Sequence, residues 1–267
     1  AEYDALPMGH ACAHQLQGPA ILGAAVAIKE VMRNKPYELI VYGTPGEESG
    51  AGKPIMLREG FINDLDVALM IHGGPATQVD VKSMAMKRID VTFTGKSAHA
   101  ALRPDKGRSA FDALLLTFHG LEFLREHVSE DTRIHYTVID AGGPANVVPA
   151  TAKGSFYLRS YNSTYLQSVF ERFKKVVEGA ALMTETTYEI NNDALMNRES
   201  KVPVYSLNEL IMQNAKDVGA VNIKGAREKT GSTDFGDVTY ILPGSCLRIA
   251  FVPDGTSSHT QAFLDAG

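Results

Sequence analysis

Residues 38–75 read ELIVYGTPGEESGAGKPIMLREGFINDLDVALMIHGGP. Leu39, Ile40 and Val41 form a short apolar run between turn formers, which predicts a buried strand over 38–42. The loop at its carboxyl end, 43–52 (GTPGEESGAG), is rich in glycine and carries the adjacent carboxylates Glu47 and Glu48. Residues 54–59 predict a helix. Residues 66–71 predict a second strand that runs into His72-Gly73-Gly74-Pro75. Strand, helix, strand with polar groups at the carboxyl ends of the strands is the pattern of an open α/β sheet, whose ligands bind at those ends. A parallel pair of this kind takes a right-handed crossover.

Upstream, apolar residues recur at helical spacing over 16–32 (Leu16, Ala20, Ile21, Ala24, Ala25, Ile28, Met32), and Asn34-Lys35-Pro36 ends that helix. Before it lies 2–15, EYDALPMGHACAHQ, where Cys12 and His14 flank Ala13. In an extended segment, positions i and i+2 face one side, so a thiolate and an imidazole would converge there, a donor pair suited to zinc or a related ion. Asp4 is placed to support such histidines as a neighbouring carboxylate. By itself the pattern more commonly describes a buried cysteine beside an ordinary histidine.

Downstream the pattern changes. Strands are expected over 85–94, 133–139, 152–160 and 186–190, with helices over 108–127 and 164–182. The order β-α-β-β-α-β is the ferredoxin-like split motif, so 81–192 is expected to be an inserted satellite domain. A helix over 204–218 and a strand over 247–252 return to the first pattern. The fold class expected is therefore α/β: a catalytic-type domain with a central, mostly parallel sheet (1–80 and 193–267), interrupted by the satellite.

The chain has 267 residues, 44% hydrophobic and 21% charged, enough for a sizeable core. Its net charge of −5 argues against a nucleic-acid partner, and no apolar run is long enough to span a membrane. Two cysteines, Cys12 and Cys246, are too few for a disulfide framework, so a reducing compartment, the cytoplasm, is the expectation. The first residue is Ala1, and 1–7 reads as the middle of a domain, so the native chain is expected to begin earlier.

Cys12, His14, Glu47, Glu48, His72 and His259 all fall in loops or at strand ends. Several donors plus a carboxylate to take a proton from water are what a metal hydrolase requires. The alternative for GEES is a plain acidic turn. His99, in GKSAHAA, suits an oxyanion donor or else a solvated loop histidine, and Arg159 suits a substrate carboxylate or else a surface ion pair. His10, His119, His127 and His135 read as surface or packing residues. A cysteine hydrolase using Cys12 with His259 is a further reading, because His14 is too close in sequence for an ordinary dyad.

Seven stretches, EYDALPMGHACAHQ (2–15), GTPGEESGAG (43–52), MIHGG (70–74), FTGKSAHAA (93–101), GGPANVVPA (142–150), GSTDFGDV (231–238) and SSHT (257–260), stand in an order that resembles the M20 metallopeptidases. The resemblance is to their amidohydrolase branch, which includes aminobenzoyl-glutamate and N-acyl-amino-acid hydrolases. It implies a metal-binding catalytic domain interrupted by a dimerising satellite. It implies two divalent ions, zinc or manganese, held by Cys12, His14, Glu48, His72 and His259, with Cys12 bridging. Glu47 would be the general base, His99 would act in the partner subunit's site, and Asn146 would contact substrate. The implied reaction is hydrolysis of the amide of an N-acyl amino acid, an aminobenzoyl-glutamate-like conjugate or a dipeptide. The alternative is a non-catalytic, metal-binding, dimerising homologue. Ala13 and Gln15 flank His14 where the branch has Gly and Asn or Asp, and Glu2 stands where Asp is usual. The family also implies further catalytic-domain segments before Ala1 and after Gly267.

Overall fold

The computed structural model describes residues 1–267 and divides into two units, Ala1–Ser83 joined with Glu199–Gly267, and Met84–Arg198. The first unit opens with β1 (Glu2–Tyr3), α1 (His14–Val31), β2 (Thr44–Pro45), α2 (Gly52–Arg58), β3 (Ala68–Gly74) and β4 (Gln78–Ser83). β1 and β2 pair in parallel, Glu2 opposite Thr44. The strand expected over 38–42 is not formed. Pairing begins only where the Ala1 amino group donates to the Tyr42 carbonyl, and no strand lies alongside 38–41, so the apolar run has no ladder to join. The helix expected over 16–32 forms, but its apolar residues do not face a core. Only His14 and Gln17 are buried, while Leu22, Val26 and Val31 are 58%, 65% and 80% exposed because no element of the unit covers them.

The second unit contains β5 (Ala85–Thr94), α3 (Ala110–Arg125), β6 (Arg133–Asp140), β7 (Thr151–Ser160), α4 (Ser163–Thr184) and β8 (Thr187–Asn191). The strand order is β6-β7-β5-β8 with every neighbour antiparallel, the ferredoxin-like arrangement. Alternation explains it: Ile89, Val91 and Phe93 of β5 and Phe156 and Leu158 of β7 share one buried face, against Leu114 and Leu121 of α3 and Phe173 and Val177 of α4. Full burial of each such side chain contributes about 1.5–3 kcal/mol. Ser109 caps α3 by accepting from the Asp112 N–H, and Asn162 caps α4 by accepting from the Tyr165 N–H. The unit boundaries lie a few residues beyond 81 and 192, because β4 joins the first unit's sheet and Arg198 pairs with Met86.

The chain then returns with α5 (Tyr205–Asp217), β9 (Arg227–Thr230), α6 (Phe235–Thr239), β10 (Gly244–Ala250) and α7 (Gln261–Ala266). The sheet order is β3-β10-β4-β9. β10 is parallel to β3 and antiparallel to β4, and β4 is parallel to β9, so the sheet is mostly parallel. β9, sequence REKT, carries no apolar residue and left no strand signal. Met70, Cys246, Phe235, Val238 and Leu242 pack between the sheet and α6. The parallel register of β3 and β10 sets His72 beside Arg248 near the carboxyl ends of both strands.

Candidate metal centre

Cys12 and His14 are not in an extended segment. Ala13 between them is left-handed (φ 65), so the chain turns as it enters α1, and the Ala13 methyl is fully buried. A Cβ on Gly73 would lie 2.6 Å from the Ala13 methyl carbon, so glycine at the end of β3 is what admits this packing. His259, itself at φ 62, is tied to the same loop by its N–H, which donates to the Ala11 carbonyl at 2.9 Å. Glu47 and Glu48 sit in a tight turn after β2, closed by the Gly50 N–H on the Gly46 carbonyl. Gly46 is left-handed (φ 72), and a Cβ on Gly52 would lie 1.8 Å from the Pro45 oxygen, so both glycines are required by the turn.

The Asp4 carboxylate holds this turn rather than a histidine. It accepts from the Glu48 and Ser49 N–H groups and the Ser49 hydroxyl at 3.1, 3.0 and 2.8 Å. Support for His14 comes instead from the Asp4 main-chain carbonyl, 3.1 Å from Nδ1. A carbonyl can only accept, so Nδ1 carries the proton and Nε2 presents its lone pair. His72 Nδ1 lies 2.7 Å from the Gly73 carbonyl and 3.1 Å from Arg248 Nη1, which also donates to that carbonyl at 3.2 Å, and its Nε2 lies 3.5 Å from Cys12 Sγ.

Two donor triads result, Cys12–His14–His72 and Cys12–Glu48–His259, each with its ligand atoms within 4.8 Å of one another. They share Cys12. Buried His14 Nε2 and Glu48 Oε1 have no hydrogen bond, although Glu2 Oε2 lies 3.5 Å from the first and His259 Nε2 3.2 Å from the second without aligning. Thiolate, imidazole and carboxylate donors with aimed, unbonded lone pairs fit a pair of divalent ions. Burial first, then Arg248, lowers His72 to about 4, so it is neutral and available as a donor. Burial and then Glu48 push the Cys12 thiol up, opposite to what a cysteine nucleophile needs and in keeping with a donor ionised only by a bound cation.

Glu47 lies at the junction of two further groups, His14–Glu47–Glu48 and Glu2–Glu47–Asp234. Nothing hydrogen-bonds to its carboxyl. Burial first, then Glu2, Asp234 and Glu48, push it up to about 8. The sequence reading missed Glu2, Lys53 and Asp234. Lys53 Nζ is buried and bonds Glu2 Oε1 at 2.7 Å and Asp234 Oδ1 at 2.6 Å, while Gln17 donates to Glu2 Oε2. Burial opposes ionisation of Glu2, and the Lys53 charge outweighs it, holding Glu2 well below the usual carboxylate range. The departure of Glu2 from the family's Asp and the presence of Asp234 in the 231–238 stretch pointed here without assigning either a role; Lys53, 181 residues from Asp234, gave no signal.

His99, Asn146 and Arg159 belong to the other unit. His99 is exposed and its loop pairs with the 142–149 loop, the Ala100 N–H donating to the Asn146 carbonyl at 3.0 Å. Arg159, on β7, has its guanidinium 5.8 Å from the Tyr157 ring centroid. His10, His119, His127 and His135 are exposed and join no donor group.

Residues 81–184 match the M20 peptidase dimerisation domain. A p-aminobenzoyl-glutamate hydrolase polypeptide of Escherichia coli is 42% identical over 69% of this chain and 39% of its own length. The human Xaa-Arg dipeptidase is 31% identical over 99% of this chain and 62% of its own length. The chain thus spans about two fifths to three fifths of the curated relatives it matches. A Bacillus subtilis structure described as a dinuclear metal-binding peptidase of the M20 family superposes with a TM-score of 0.71 at 20% identity, covering 99% of this chain and 74% of that one, which establishes the shared fold.

Proposed function

The chain belongs to the M20 metallopeptidase family, and from that premise we propose that it serves a metal-dependent amidohydrolase that cleaves the amide of an N-acyl amino acid, an aminobenzoyl-glutamate-like conjugate or a dipeptide. The observation that carries the reading is the pair of donor triads joined at Cys12 with an unbonded carboxylate, Glu47, beside them. Cys12, His14 and His72 would hold one divalent ion and Cys12, Glu48 and His259 the other, zinc or manganese by donor type. When bound, such ions supply positive charge that polarises the scissile carbonyl and acidifies a water.

The chain's own residues divide the remaining work. Glu47 takes a proton from the attacking water on a carboxylate oxygen and passes it to the amide nitrogen as the C–N bond breaks. Burial and the neighbouring acids push the Glu47 carboxyl up, and bound cations would lower it again toward the ionised form that the first step needs. Asn146 would contact substrate in the same way as His99, at the site of the other subunit, and Arg159 would pair with a substrate carboxylate. The partner subunit's His99 stabilises the oxyanion of the tetrahedral species. The satellite's likeness to a dimerisation domain supports a homodimer. Both cysteines are free, which suits a reducing compartment such as the cytoplasm, and no helix is long and apolar enough to cross a membrane.

Elemental analysis combined with hydrolysis of a panel of acyl-amino acids and dipeptides tests the proposal. About two ions per chain and chelator-sensitive hydrolysis are expected, with Glu47→Gln keeping the ions and losing about 10²–10⁴ in kcat. Near-normal turnover by Glu47→Gln would overturn the mechanism. Ions without hydrolysis of any panel member would favour a non-catalytic homologue.

A further inference from the structure

Beside the two triads lies a third group of acids, Glu2, Glu47 and Asp234, whose carboxylate oxygens are within 4.8 Å of one another. That is the spacing of ligands around one ion. The group is not empty of positive charge, since Lys53 Nζ lies 2.7 Å from Glu2 and 2.6 Å from Asp234, with all three side chains at most 4% exposed. Two of the three carboxylates are therefore bound to an ammonium and the third, Glu47, to nothing. Lys53 stands at the start of α2, whose tight approach to Pro45 is set by Gly52, so its ammonium is delivered from a fixed backbone. Its own N–H also reaches Asp234 Oδ2, at 3.4 Å.

We propose that Lys53 is a built-in cation: its ammonium fills the Glu2–Glu47–Asp234 cluster, keeps that cluster from recruiting a divalent ion, and so leaves Glu47 as the one carboxylate of the group with no bond. The inference rests on the ion-site reading above and deepens it, because Lys53 becomes a positioning residue that acts through Glu47 and limits how many ions the site takes. A tether alone would need only a hydrogen-bond donor. Two buried, ionised carboxylates require a charge, and a single charge satisfies them at lower cost than a divalent ion set against two others. An ion in this cluster would also take Glu47 as a ligand and remove it from proton transfer.

The test uses the full chain, manganese(II) as the probe, ion counting, and thermal unfolding with and without chelator. Lys53→Ala is expected to bind about one more ion per chain than the parent, and its midpoint, lowered in chelator, is expected to recover when manganese is added. Lys53→Arg should retain the parent's count. The uncharged triple variant Glu2→Gln/Lys53→Met/Asp234→Asn should gain no ion either. An unchanged count in Lys53→Ala, with no gain in midpoint beyond the parent's own, overturns the proposal. So does a Lys53→Ala chain that folds neither with manganese nor without it, or an extra ion in the triple variant. A parent that binds no ion would refute the reading of the two triads, whereas an ion bound by Lys53→Ala but not by that parent would still support the role of Lys53.

Discussion

Cys12 is the donor that both triads share, while His259 serves only one. Their removal therefore has unequal consequences. Cys12→Ala is expected to lose both ions and His259→Ala about one, as counted by elemental analysis after dialysis. Equal losses would mean that the two triads are not two sites joined at the thiol. The same residue scale explains a departure from the family pattern. Ala13 occupies a left-handed conformation that costs an L-residue about 1–2 kcal/mol, where the branch has glycine. Its methyl packs with Val252 and Phe263, and that burial offsets part of the strain.

Asp131 shows how one side chain joins elements. It lies between α3 and β6, yet it accepts from Ser129 Oγ at 2.7 Å and, across the unit, from Ser160 Oγ at 3.1 Å and the Tyr161 N–H at 2.9 Å where β7 ends. Partial burial raises its pKa, and these donors outweigh that effect and hold it below the usual range. A depressed carboxylate contributes stability that is fully present above the unfolded value, about 3.9, and is lost as pH falls through the lower folded value. Asp131→Ala should therefore cost about 1 kcal/mol at neutral pH, after allowance for solvent screening. The gap from the parent should close in acid as both chains lose the interaction. Denaturant titrations at several pH values check this, and a gap that widens on acidification would contradict it.

At the scale of the molecule, all five proposed ion ligands come from the first unit and none from Met84–Arg198. Calorimetry should resolve two transitions, of which ions raise only one. At ion concentrations of about 100 Kd the gain is about 2.7 kcal/mol, several degrees in midpoint. A single transition, or two that rise together, would contradict that independence. Assembly belongs to the same scale. The proposed dimer predicts twice the 28.9 kDa chain mass by light scattering, and a loss of turnover in His99→Ala without loss of ions. A chain that is monomeric while fully active would refute the role of the partner subunit's His99.

Local pattern alone determined a good deal. The ferredoxin-like unit was legible because alternation in β5 and β7 and helical spacing in α3 and α4 are imposed by one buried face per element. The candidate ligands Cys12, His14, Glu48, His72 and His259 were proposed from the order of the motifs, and the structure groups these five side chains around one thiol. Tertiary structure alone decided the rest. An apolar run becomes a strand only where a partner lies beside it, and 38–41 has none, whereas REKT becomes β9 because β4 offers a ladder. Helical spacing shows which residues share a face but not whether anything covers it, so the apolar face of α1 stands exposed. The Asp4 carboxylate was expected at a histidine and instead holds the Glu48–Ser49 backbone, since the direction of a side chain depends on the turn that folds against it. Lys53 left no trace in the sequence because the charges that justify burying it lie on β1 and just before α6, far along the chain, and only folding brings them together.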